Sequence, residues 1–197
     1  MRVFLGVSGA SGAPYAERLV RALAAVDCEV GLAASRSGIE VLATELYGDP
    51  SLPREEVLER FVGTAAPQVT VYDENDFRSP YASGSARVDA YVICPCSMAT
   101  VGTLASGAMQ NLIHCAASVA LKERRTLVLV PRETPLSSIH LRGLATLNEA
   151  GAVILFAAPG FYHGPERIDD LVDFVVARCL DQIGIDNALV KRWGQPE

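Results

Sequence analysis

Residues 3–12 read VFLGVSGASG and pass directly into a segment, 14–26, in which Leu19, Leu23 and Val26 recur at helical spacing. An apolar strand that turns through glycine and serine into a helix is the opening of a βαβ unit. Glycine lets backbone come close to a ligand, and a helix start offers N–H groups to an anion. The glycines Gly6, Gly9 and Gly12 are spaced G-x-x-G-x-x-G, not G-x-G-x-x-G. Ser35-Arg36 also stand where a dinucleotide fold would place a ribose-binding acid. The stretch therefore points to a phosphate or a flavin, with Ser8 and Ser11 adding hydroxyls; a tight turn without a ligand is the plainer alternative.

Outward from this turn the same alternation continues. Strands are expected over 28–34, 68–72, 90–94, 126–130 and 153–156, and helices over 38–46, 55–62, 137–149 and 168–183. One long helix is expected from Ser97 to about Leu121, with Val101, Leu104, Ala108, Leu112, Cys115 and Val119 inward. The segments 48–54 and 73–87 read as loops, and a tail begins near residue 184. Strand and helix in strict alternation predict an α/β protein: a doubly wound, Rossmann-like three-layer fold with a six-stranded parallel sheet, residues 1–197 forming a single domain.

Composition narrows the function. The 197 residues are 50% hydrophobic and 20% charged, enough apolar content to exclude disorder, and the net charge of −6 argues against a general nucleic-acid binder. No apolar run approaches the roughly 20 residues a membrane span needs, and no secretory signal is visible after Met1-Arg2. Five cysteines, an odd number with Cys94 and Cys96 spaced C-x-C, fit buried thiols in a reducing cytoplasm better than a disulfide or zinc scaffold. His114, His140 and His163 lack ligand spacing, so no metal is expected.

Chemistry-bearing residues gather at strand ends. Ser97 can cap the helix after strand four, where Met98, Ala99 and Thr100 add an N-terminal donor set; with the turn at 8–12 it would form one anion pocket. Arg132 and Glu133 follow strand five between two prolines, an arginine able to fork onto phosphate beside a carboxylate able to move a proton. Lys122, Arg124, Arg125 and Arg142 add basic groups nearby in sequence. Arg124 and Arg125 read as helix-end charges, Arg178 as a surface partner of Asp181, Glu45 as a surface carboxylate, and Trp193 as a tail anchor.

These motifs, in this order, resemble the UbiX flavin prenyltransferases. The matching pieces are SGASG (8–12), ATE (43–45), ASGS (82–85), ICPCS (93–97), ALKERR (120–125), LVLVPRETP (127–135), PGFYH (159–163), DLVDFVVAR (170–178) and RWG (192–194), which together span essentially the whole chain. The resemblance implies that dimethylallyl phosphate is joined to reduced FMN, without a metal, to give prenylated FMN for a prenylated-FMN-dependent decarboxylase. It implies FMN contacts at Gly9, Ala10, Ser11, Ser35, Ser97, Met98, Ala99, Thr100, Arg132 and Trp193. It implies a prenyl-phosphate site from Lys122, Glu133, Tyr162, Arg178, Ser83 and Gly84, with Glu133, Ser11 and Glu45 catalytic. It also implies a homo-oligomer, dodecameric, with sites at subunit junctions. Cys115 departs from the pattern, which carries an arginine there. A flavin-dependent decarboxylase of a cysteine-containing or small acid, and a non-catalytic FMN carrier, remain open alternatives.

Overall fold

The computed structural model describes residues 1–192 and 194. Six parallel strands, β1 (Arg2–Val7), β2 (Glu29–Ala34), β3 (Val69–Tyr72), β4 (Ala90–Cys96), β5 (Thr126–Pro131) and β6 (Val153–Ile154), pair in the order β3-β2-β1-β4-β5-β6. This is the doubly wound arrangement expected from the alternation. Past their first residues β1, β2, β4 and β5 are apolar because both faces of the sheet are covered there: Val3, Leu5 and Val7 of β1 point into one layer and Phe4 into the other, all at 0% exposure.

Helices α1 (Ala13–Ala25), α2 (Arg36–Tyr47), α3 (Arg54–Val62) and α7 (Ile168–Gln182) pack on the first face. Helices α4 (Met98–Ala105), α5 (Leu112–Lys122) and α6 (Ser138–Glu149) pack on the second. Tyr81, in a short 3-10 turn at Pro80–Ala82, also joins the second layer, so the long loop 73–87 is pinned to the sheet rather than standing free of it.

Three expectations are corrected. The long helix from Ser97 is two helices, α4 and α5, separated by residues 106–111. Asn111 opens a new helix by accepting from the N–H of His114 at 3.0 Å, while Ala108 lies exposed in the link. Apolar spacing alone hid the break, since Leu104, Ala108 and Leu112 keep a four-residue step through it. Val26, placed on the inward face of α1 by its spacing, is 48% exposed because the helix ends at Ala25. β6 ends as a regular strand at Ile154, although the N–H groups of Leu155 and Ala157 still donate to the β5 carbonyls of Leu129 and Pro131 at 2.9 and 3.0 Å.

Among the described residues no helix is long and apolar enough to cross a membrane. His114 in α5 is 5% exposed, and its Nδ1 accepts from the N–H of Gln110 at 3.3 Å. Burial pushes its pKa below the ordinary 6.5. Between the lowered folded value and 6.5 the unfolded chain binds the extra proton, so this contribution to stability is complete above 6.5 and is lost as pH falls through the folded value. Thermal melts are expected to show a lower Tm at pH 5 than at pH 7, with a shallower drop in His114→Gln.

Candidate active site

The strand order reverses between β1 and β4, which leaves a crevice beyond their carboxyl ends. Ser8, 3% exposed, ties the two ends together: its hydroxyl donates to the Pro95 carbonyl at 3.1 Å and accepts from the Ser97 N–H at 2.8 Å. Ser97 caps α4 as expected, its hydroxyl accepting from the Thr100 N–H at 3.2 Å and donating to the Thr100 hydroxyl at 3.1 Å. The N–H groups of Met98 and Ala99 have no acceptor among the described residues. They are open anion donors at the edge of the crevice.

The start of α1 behaves differently from the expectation. One carboxylate oxygen of Glu45 accepts from the N–H groups of both Gly12 and Ala13, each at 2.8 Å. The chain's own carboxylate thus closes this N-terminus and complements its dipole. At this helix start the N–H groups of Gly12 and Ala13 are taken, whereas those of Met98 and Ala99 at α4 stay open. Glu45 is a structural cap of the turn that carries Ser11, not an idle surface acid.

Close approach explains Gly9. A Cβ there would lie 2.4 Å from the Ser37 hydroxyl, so only glycine lets the turn rest against the start of α2. Ser35 caps that helix by accepting from the Gly38 N–H at 3.0 Å. From the other side Arg132, just past β5, reaches over the end of β4 and donates from Nε to the Ser11 carbonyl at 3.2 Å. Glu133 stands beside it, half-buried, with Oε1 accepting from the Thr134 N–H at 3.0 Å. Gly9, Ala10, Ser11, Ser35, Glu45, Ser97, Met98, Ala99, Thr100, Arg132 and Glu133 therefore all sit at one edge of the sheet.

Lys122, Ser83 and Gly84 gather elsewhere. A Cβ on Gly84 would lie 2.6 Å from Lys122 Nζ and 2.2 Å from Glu123 Oε1, so this loop lies directly on the end of α5. Lys122 pairs with Glu123 at 2.6 Å. Arg125 fixes the loop by donating to the Gly84 carbonyl at 2.7 Å and to the Tyr91 hydroxyl at 3.2 Å, a role its reading as a helix-end charge missed. Cys115 belongs to this group, its thiol donating to the Ala82 carbonyl at 3.8 Å. Because α5 ends where β5 begins, the six residues of β5 separate Lys122 from Arg132. At about 3.3 Å per residue that is roughly 20 Å.

Tyr162 and Arg178 form a third group on the opposite face, lining a cavity with the end of α7. Arg178 pairs with Asp181 at 2.8 Å, as expected from their spacing. Trp193 lies outside the described residues. Ser8, expected to add a hydroxyl to the ligand turn, instead ties two strand ends together; Arg125 was not singled out for function, and Asp181 only as the partner of Arg178. The partners of Arg125, Gly84 and Tyr91, are distant in sequence, whereas Arg178, Asn187 and Arg192 lie within 11 residues of Asp181.

A family model described as Flavoprotein matches residues 1–180. The flavin prenyltransferase UbiX of Pseudomonas aeruginosa is 50% identical over 199 residues, covering 98% of this chain and 94% of its own. The chain belongs to the UbiX flavin prenyltransferase family. Among solved structures, the UbiX protein AnUbiX in complex with FMN and dimethylallyl pyrophosphate superposes with a TM-score of 0.87 at 36% identity, covering 100% of this chain and 98% of that one. A dodecameric FMN-dependent UbiX-like decarboxylase from Escherichia coli O157:H7 gives 0.87 at 35% identity, covering 99% of this chain and 100% of that one.

The thiols of this UbiX-family chain are poor nucleophiles. Burial pushes Cys96 and Cys179 up to about 12 and Cys94 well above its ordinary value, and raises Cys115 as well. At neutral pH the reactive thiolate is therefore scarce. Among the described residues no group of three or more His, Cys, Asp or Glu is arranged to hold a metal ion.

Proposed function

We propose that the protein joins the dimethylallyl group of dimethylallyl phosphate to reduced FMN, releasing phosphate and yielding prenylated FMN for a partner decarboxylase in the cytoplasm. The observation that carries this reading is the crevice in which Arg132 bridges to the turn at Ser11 while Glu133 stands at its side. The residues present fit FMN: Met98 and Ala99 offer open N–H donors and Arg132 a guanidinium. Bound and reduced, the flavin supplies the electron-rich carbon and nitrogen that accept the prenyl group.

The chain's own residues supply position, charge and proton transfer. Departure of an allylic phosphate spreads positive charge over the prenyl group and concentrates negative charge on the leaving oxygens. Aimed cations stabilise that charge, and Lys122, Arg178 and the Tyr162 hydroxyl are the donors assigned to it. Glu133 gives a proton to the leaving group and takes one back as the new bonds form. Glu45 holds Ser11 in place by fixing the first turn of α1.

A donor site using Lys122, Tyr162 and Arg178 has to draw on more than one copy. Lys122 lies roughly 20 Å down β5 from Arg132, and α5 and α7 cover opposite faces of the sheet. This separation supports a homo-oligomer with sites at subunit junctions, in keeping with the dodecamer described for the Escherichia coli neighbour.

Anaerobic incubation with reduced FMN and dimethylallyl phosphate is expected to yield a flavin heavier by one prenyl group in mass spectrometry. No mass shift with several prenyl phosphates would reject the proposal. The thiol at position 115 places a neutral group beside Lys122 where the family pattern carries an arginine. Cys115→Arg is expected to lower the KM for dimethylallyl phosphate by about tenfold, the scale of one charge-assisted hydrogen bond, measured in steady-state transfer assays.

A further inference from the structure

A cavity of about 340 Å³ lies between α7 and the segment that follows it. Phe174 and Val190 give it apolar walls, and Arg178, Lys191 and Arg192 give it cations; Asp181 is the single acid among its lining residues. The carboxylate of Asp181, with its side chain only 18% exposed, gathers donors from three points of the chain. Arg178 donates to Oδ2 at 2.8 Å, Arg192 to Oδ1 at 2.9 Å, and the Asn187 amide to Oδ1 at 3.1 Å. Asn187 donates in addition to the Ala177 carbonyl at 3.3 Å, which fastens the tail against α7.

A guanidinium has five N–H donors. Arg178 and Arg192 each spend one on Asp181, and their remaining donors have no acceptor among the described residues. Two like charges held on the two oxygens of one carboxylate stand close enough to grip a single tetrahedral dianion, and a preorganised guanidinium pair loses little freedom when it does so. We infer that Arg192 is a second phosphate-binding arginine of the prenyl-donor pocket, and that Asp181 is the positioning residue that holds Arg192 and Arg178 together. The inference rests on the transferase reading for the identity of the donor; the charge arrangement by itself calls for a small tetrahedral dianion.

The test uses the full-length, FMN-loaded protein with two probes: inorganic phosphate followed by calorimetry, and dimethylallyl phosphate followed by steady-state transfer. Arg192→Ala is expected to weaken phosphate binding and raise the donor KM by about tenfold each, with kcat changed less than threefold and with partial recovery in Arg192→Lys. Both values within twofold of the parent would overturn the role of Arg192. Asp181→Asn discriminates by sign. Removing a negative charge beside an anion site tightens phosphate binding if Asp181 is only a neighbouring charge, and weakens it several-fold if Asp181 positions the two arginines. Tighter binding overturns the positioning role. If Asp181→Asn does not fold, Asp181→Glu takes its place: a lengthened carboxylate shifts both arginines, so unchanged phosphate affinity counts against the role. A parent that binds phosphate through Arg178 and Arg192 yet transfers no prenyl group leaves this site standing and removes the transferase reading.

Discussion

Glu133→Gln is expected to slow prenyl transfer by about 10²–10⁴-fold, the usual contribution of a positioned general acid–base, while FMN affinity stays within twofold. The substitution is nearly isosteric, and the amide oxygen of glutamine can still accept from the Thr134 N–H that Glu133 now engages at 3.0 Å. Arg132 keeps its bond to the Ser11 carbonyl, so the crevice itself is unaltered. What disappears is the carboxylate proposed to exchange a proton with the leaving phosphate and the flavin. Single-turnover formation of the heavier flavin, followed by mass spectrometry, measures the effect. A variant that retains more than a tenth of the parent rate would move the proton transfer to another group, with Glu45 next to be replaced.

Gly38→Ala should be the most damaging single methyl in the neighbourhood of the crevice. An added Cβ would lie 2.4 Å from the Val7 carbonyl oxygen and 3.0 Å from its carbon, both backbone atoms that no rotamer change can move. Gly38 sits in the first turn of α2, where its N–H is the donor to the Ser35 cap. To relieve the overlap α2 must lift off the end of β1, taking Ser35 and Ser37 away from Gly9 and pulling Glu45 away from the start of α1. Overpacking of this kind costs about 1–3 kcal/mol. In a chain of this size each kcal/mol lowers Tm by roughly 2–4 °C. A drop of about 2–12 °C by calorimetry, with weaker FMN binding by fluorescence quenching, is the expected result. An unchanged Tm would show that the helix has room to shift.

Much of the crevice was legible because it is built from local signals. The run 3–12 announces a strand, a turn and a helix within itself, and Ser35, Ser97 and Ser137 cap their helices through hydroxyls that accept from N–H groups three residues away. Periodicity likewise located all six strands, since an apolar run bounded by turn residues is a property of neighbours in sequence. The break at 106–111 escaped because a four-residue apolar step passes through it, and nothing in that step records where the helical hydrogen bonds stop.

The sequence by itself determined the layers, the strand-end positions of Ser11 and Glu133, and, through its motifs, the family. Only the tertiary structure decided which of those candidates share a place. Glu45 closes the start of α1 across 32 to 33 residues of chain, a contact set by how α2 packs on α1. Arg132 meets Ser11 across 121 residues because β4 alone lies between their strands. Lys122 and Arg178, which motif order would put in one pocket, are carried to opposite faces of the sheet by α5 and α7. The reason is physical: capping and periodicity are enforced by covalent neighbours, whereas the face and edge at which a side chain emerges depend on how whole helices bury their apolar stripes.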